Sequence, residues 1–195
     1  MGNFLNGNDR TKLSPAMVLI AGPNGAGKSC LACALCQGGD TGSFPGNIPQ
    51  GKYYPTNGPT ECLVGDGKLR LVENGGGSES GLARVNAASF SDAWGCICLV
   101  FVVDATERDA EKIRAARAML EVLVESQLGC NKPVVVVAAK SDIQDAMSTT
   151  EVFDKFSLQG LSEGRPFKVV AASAMPDALQ GLEELLEYLT AVAKR

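Results

Sequence analysis

The residue types best suited to chemistry are concentrated in Gly22-Pro23-Asn24-Gly25-Ala26-Gly27-Lys28-Ser29, which fits the pattern G-x-x-x-x-G-K-[ST]. Glycine at 22, 25 and 27 lets backbone N–H groups turn inward around oxyanions, where a Cβ would crowd them. A helix opening at Lys28 adds the positive end of its dipole and its unpaired N–H groups. The Lys28 ammonium can then reach β- and γ-phosphates, and the Ser29 hydroxyl can ligate Mg²⁺. Asn24, Ala26 and Cys30 lie within the same cradle. The chemistry read from this segment is a grip on the phosphates of a nucleotide; a glycine-rich turn that merely matches the pattern is the plainer alternative.

Such a loop works only between a strand and a helix. Met17-Val18-Leu19-Ile20-Ala21 is a short apolar, β-branched run ending at glycine, which predicts a buried strand. Residues 28–37 can be helical, and residues 38–59, crowded with Gly, Pro, Asn and Asp, read as a long loop that is either functional or disordered. Residues 60–64 and 68–72 flank Gly65-Asp66-Gly67, a hairpin signal, and residues 74–81 form a second glycine-rich break. Continuous apolar runs at 96–103 and 134–139, and a weaker one at 167–172, predict three more strands. Ile113, Ala116, Leu120 and Leu123 fall at helical spacing, as do Leu179, Leu182, Leu186 and Leu189. Strands alternating with amphipathic helices predict an α/β protein with a mostly parallel sheet covered on both faces and one antiparallel hairpin.

Composition narrows the classes. With 195 residues and 45% hydrophobic content, the chain can bury a core as one domain. Its net charge of −4 gives no reason to expect nucleic acid as a partner. The absence of histidine excludes imidazole metal sites, Ser-His-Asp triads and histidine acid–base chemistry. Seven scattered cysteines with no secretory leader before them read as a reduced, intracellular chain. Cys30, Cys33 and Cys36 are spaced like metal ligands, but on one side of a helix they read as small hydrophobes. Residues 96–103 are far short of the roughly 20 apolar residues that a membrane span needs.

The phosphate loop alone leaves the class open. Its wording also resembles that of ABC-transporter ATPases, with Val100–Asp104 as a Walker-B strand, but no signature segment follows and no acid comes directly after Asp104. A nucleotide kinase fits the length, yet residues 143–164 contain no arginine for a phosphate-clamping lid. Further segments follow in order. Tyr54-Pro55-Thr56-Asn57-Gly58 looks like a switch I segment, and Glu73-Asn74-Gly75-Gly76 like the Asp-x-x-Gly of a switch II. Val102–Arg108 looks like a fourth strand and its exit, Ala139-Lys140-Ser141-Asp142 is similar to the guanine-reading Asn-Lys-x-Asp, and Ala172-Ser173-Ala174 resembles the last base-contacting loop. With these segments the chain resembles the Arf/Arl branch of small GTPases over nearly its whole length.

The resemblance implies a three-layer P-loop NTPase small G domain over residues 15–195, with a mostly parallel six-stranded sheet, one antiparallel edge hairpin and helices on both faces. A flexible segment, residues 1–14, would precede it. It implies binding of GTP and GDP with Mg²⁺, the metal held by Ser29 and Thr56. Gly76 would donate its amide to the γ-phosphate. Asp142 would accept from guanine's N1–H and amine, which adenine cannot match. Lys140 would lie along the base, and the Ser173–Ala174 backbone would donate to the guanine carbonyl. The switches would be residues 38–59 and 73–83. Exchange factors, activating proteins and an effector are the implied partners of a monomeric, cytoplasmic protein. Gly2 in Met1-Gly2-Asn3-Phe4-Leu5-Asn6 resembles a myristoylated start, and would give reversible contact with an intracellular membrane.

The departures are specific. Glu73 replaces the switch II aspartate, Gly77 stands where the family has its water-positioning glutamine, and Ala139 replaces the asparagine that ties the base loop to the phosphate loop. They predict very slow hydrolysis, and they keep a pseudo-GTPase, the same fold used as an interaction module, as the alternative.

Overall fold

The computed structural model describes residues 14–36, 60–73, 96–126 and 132–194. Gly2, Tyr54, Thr56, Gly76 and Gly77 lie outside the described residues. The strands are β1 (Ala16–Ala21), β2 (Thr60–Val64), β3 (Leu69–Glu73), β4 (Cys98–Asp104), β5 (Val134–Ala139) and β6 (Phe167–Ala172). They form one six-stranded sheet in the order β2-β3-β1-β4-β5-β6. Among the strands of the described residues, the β2–β3 pair is antiparallel and the others are parallel. The hairpin turn runs through Gly65, Asp66 and Gly67, all with φ between 57° and 75°, a left-handed run that glycine and aspartate tolerate better than other residues.

Strand alternation divides the core. Leu19, Leu99, Phe101, Val134 and Val136 face one side, where α2 (Ala110–Ser126) and α3 (Thr149–Lys155) cover them. Val18, Ile20, Val100, Val102, Val135 and Val137 face the other, under α1 (Lys28–Cys36) and α5 (Leu182–Ala193). A single-turn helix α4 (Gln159–Ser162) precedes β6, and a 3₁₀ turn (Pro176–Ala178) precedes α5. Layers of helix, sheet and helix bear out the expected α/β architecture, including its edge hairpin.

Three details differ from the sequence reading. Strands β3 and β4 start at Leu69 and Cys98, later than the predicted 68 and 96, and end at Glu73 and Asp104, one residue beyond the apolar runs, because both acids still pair with the neighbouring strand. Helix α5 begins at Leu182, since Gly181 at φ 70° breaks the chain, and Leu179 is 49% exposed before it. The buried stripe is therefore Leu185, Leu189 and Val192. Finally, Cys36 and Cys62 form a disulfide, so not all cysteines are reduced. The end of α1 packs over the edge hairpin and brings their Cα atoms within 6.6 Å, a span a disulfide can bridge.

Candidate functional site

Because β1, β3, β4, β5 and β6 run parallel, their carboxyl ends open on one edge of the sheet. Ligands in open α/β sheets bind at that edge, and every candidate group among the described residues comes from it.

The chain leaves β1 through Gly22 at φ 144°, Gly25 at 76° and Gly27 at 99°. Their roles differ. A Cβ on Gly22 would strike the Val102 carbonyl oxygen, so this glycine lets the loop lie directly on β4. A Cβ on Gly25 would meet nothing within 4 Å, and one on Gly27 only the Ala139 methyl at 3.7 Å. The open ground for an oxyanion is thus around Gly25 to Gly27. Ala139, where the resemblance places the family's tethering asparagine, is what a side chain at Gly27 would meet.

Lys28 opens α1 and is only 5% exposed. Its Nζ donates to the carbonyls of Gly22 at 3.0 Å and Pro23 at 2.8 Å, so the ammonium lies across the base of the loop. Burial pulls its pKa below the ordinary lysine value, against an opposing pull from the Glu73 carboxylate.

Glu73, at the end of β3, is 1% exposed. The Ser29 hydroxyl donates to its Oε1 at 2.6 Å, and the Thr60 hydroxyl donates to its Oε2 at 3.2 Å. Thr60 and Glu73 are direct cross-strand partners, so the hairpin aims the carboxylate at Ser29. Sequence reasoning placed Glu73 at the switch II acid without counting it among the ligands, and it missed Thr60. The signal available was the match of Glu73 to the switch II acid; Thr60 carried none.

Strands β4 and β5 are neighbours, and their ends bring Asp104 to Lys140. Lys140 has φ 63°, and its Nζ pairs with Asp104 Oδ2 at 2.6 Å. Asp104 Oδ1 also accepts from the Thr106 N–H at 2.8 Å and hydroxyl at 2.6 Å. Burial alone would raise the Asp104 pKa, but the bonds from Lys140 and Thr106 outweigh it and hold the carboxyl below its ordinary value. Asp142 follows in an exposed turn.

The β6 exit is buried at Ser173. Its N–H donates to the Gln180 carbonyl at 3.0 Å, and its carbonyl accepts from the Gln180 N–H at 3.2 Å. That amide is therefore committed inside the protein, which narrows the expected Ser173–Ala174 backbone contact to Ala174. The Ser141 hydroxyl donates to Gln180 Oε1 at 3.3 Å and the Ser141 N–H to the Ala172 carbonyl at 3.2 Å, joining the two loops. Of the candidate residues, Gly22, Asn24, Gly25, Ala26, Gly27, Lys28, Ser29, Cys30, Lys140, Asp142, Ser173 and Ala174 all lie on the loops and helix start at this edge.

The cysteine stripe on α1 is not a ligand set, since Cys36 is bonded to Cys62. Burial, with Cys30 and Glu73 nearby, pushes the Cys33 thiol up to about 11. Among the described residues, no helix is long and apolar enough to cross a membrane.

Comparison with known proteins agrees with this geometry. The model of the ADP-ribosylation factor family matches residues 11–193. The chain is 25% identical over 152 residues to the small COPII coat GTPase SAR1 of Giardia intestinalis, an alignment covering 77% of this chain and 71% of that protein. It is 36% identical over 94 residues to human ADP-ribosylation factor-like protein 4D, covering 47% of this chain and 45% of that relative. The chain belongs to the ADP-ribosylation factor family.

Proposed function

We propose that the protein is a guanine-nucleotide-binding switch that takes GTP and GDP with Mg²⁺ and hydrolyses GTP very slowly. One observation carries the reading: an open glycine loop with a buried lysine beneath it shares one sheet edge with the loops that carry Asp142 and Ala174. Membership of the family supports it, as does similarity to a protein named as a coat GTPase.

The roles follow from the chemistry. The amides from Gly25 to Cys30 and the start of α1 would receive the phosphates. The desolvated Lys28 ammonium has most to gain from a phosphate oxygen, because an anion offsets the cost of its burial. Asp142 would accept the paired donors of guanine, with Lys140 steadied beside it by Asp104. The Ser29 hydroxyl and Glu73 carboxylate fit a hard divalent cation, and Thr56 would join them. Mg²⁺, when bound, would neutralise charge on the phosphates. Gly76 would donate an amide to the γ-phosphate, and Gly77 has no side chain to orient an attacking water. Turnover should therefore lie below the about 10⁻⁴ per second of an unaided small GTPase.

The output would be a bound effector, with exchange and activating proteins as regulators and a role in membrane traffic. Attachment through acylated Gly2 would be weak, because one acyl chain binds a membrane only marginally. Denaturing the purified protein and chromatographing what is released tests the reading. Guanine nucleotide is expected; adenine nucleotide points to an ATPase or kinase, and none at all to a pseudo-GTPase. Single-turnover hydrolysis faster than about 10⁻² per second, the range of a G protein with its own arginine finger, contradicts the slow-hydrolysis part.

A further inference from the structure

Glu73 is one methylene longer than the aspartate of the family pattern, and this changes what its carboxylate can reach. Its Oε1 lies 2.6 Å from the Ser29 hydroxyl, in direct contact, with no space for an intervening water. Its other oxygen is held at 3.2 Å by Thr60 on the neighbouring strand, which sets the plane of the carboxylate. The side chain is 1% exposed, so bulk water does not separate the two groups. Mg²⁺ binds about six oxygens at roughly 2.1 Å with octahedral geometry, so adjacent ligand oxygens stand about 3 Å apart. The Ser29–Glu73 pair is near that spacing without any movement of the backbone.

The geometry points to Glu73 as a direct ligand of the nucleotide-bound divalent cation, side by side with Ser29 and replacing one metal-bound water. This assignment rests on the nucleotide reading above. Ser29 and Glu73 would hold the cation through their adjacent oxygens, the Ser29 hydroxyl giving up its bond to the carboxylate. Thr60 keeps its bond to the second carboxylate oxygen and acts as a positioning residue. A carboxylate and a hydroxyl set side by side offer the hard oxygen donors that a divalent cation of this kind takes.

The test counts waters. The full chain is loaded with GDP and Mn²⁺, which shares the octahedral oxygen preference of Mg²⁺. The broadening of its electron paramagnetic resonance lines in ¹⁷O-enriched water then gives the number of bound waters. With Ser29 and one phosphate oxygen as ligands, a carboxylate outside the first shell leaves about four waters, and a direct one leaves about three. The wild type should show about three, and Glu73→Asp should regain one. About four in the wild type, with GDP retained, overturns the assignment and leaves the nucleotide reading standing. The wild-type count decides the matter even if the variant does not fold. Retention of GDP is measured on the same sample; its absence overturns the nucleotide reading and this assignment with it.

Discussion

The two halves of the candidate site are built differently. On the phosphate side the charged groups are buried: Lys28 is 5% exposed and Glu73 1%, and the loop rests on the backbone of β4. On the base side Lys140 and Asp104 keep about a third and a quarter of their side chains in solvent, and Asp142 stands in an exposed turn. The phosphate half is thus part of the core, and a change there is paid in folding. The base half is held by the Asp104–Lys140 pair and by bonds of Ser173 and Ser141 to Gln180 and Ala172, and a change there should appear mainly in selectivity.

The largest expected effect breaks the phosphate half. Gly22→Ala places a Cβ against the Val102 carbonyl oxygen, at a φ that L residues rarely adopt. Strain and overpacking together should cost about 3 kcal/mol or more, read as a fall in the denaturant midpoint. Gly25→Ala sharpens the contrast. Its Cβ meets nothing, so folding should lose only about 1 kcal/mol, from φ strain, while nucleotide retention falls because the methyl stands in the open cradle. Equal folding losses at the two glycines would contradict their separate roles.

Next comes the base half. Asp104→Asn removes the charge that holds Lys140 and should cost about 1–2 kcal/mol at neutral pH, with weaker discrimination between GTP and ATP. The sign of the pH dependence follows from the lowered carboxyl. Asp104 adds stability above the unfolded-state value of about 4 and loses it as pH falls through its lower folded value. The gap between wild type and variant should therefore begin to narrow as pH falls below about 4 and close only once pH is below the lowered folded value. A gap that persists there would assign the effect to packing.

The smallest effect lies outside both halves. Ser148 caps α3 in a reciprocal capping box with Glu151. Ser148→Ala should lower stability by about 1 kcal/mol and leave nucleotide binding unchanged. A loss of binding in this variant would show that the base loops depend on α3.

Much of this was legible in the sequence where the signal is local. The runs at 134–139 and 167–172 are strands with those bounds, and Ile113, Ala116, Leu120 and Leu123 are the buried face of α2. The phosphate loop was read position by position, although Gly22 is required by Val102, a contact no local pattern reveals. What stayed hidden depends on strand order. Ser29 meets Glu73 across 44 positions, and Asp104 meets Lys140 across 36, only because β1 lies between β3 and β4 and β5 lies beside β4. The Cys36–Cys62 bond has the same origin. Leu179 misled because its spacing matched the helix, whereas Gly181 breaks the chain before the helix starts.

Competition between nucleotides tests the division of labour most directly. GTP and ATP carry the same triphosphate and differ only in the base, so the phosphate half cannot tell them apart. Labelled GDP bound to the wild type should be displaced by GTP at far lower concentration than by ATP. In Asp142→Ala the preference should shrink by about tenfold or more, the loss of one face of base recognition being worth about 1–3 kcal/mol. Equal displacement by ATP and GTP in the wild type would contradict the account: the phosphate grip would remain, and the guanine-reading half would not exist.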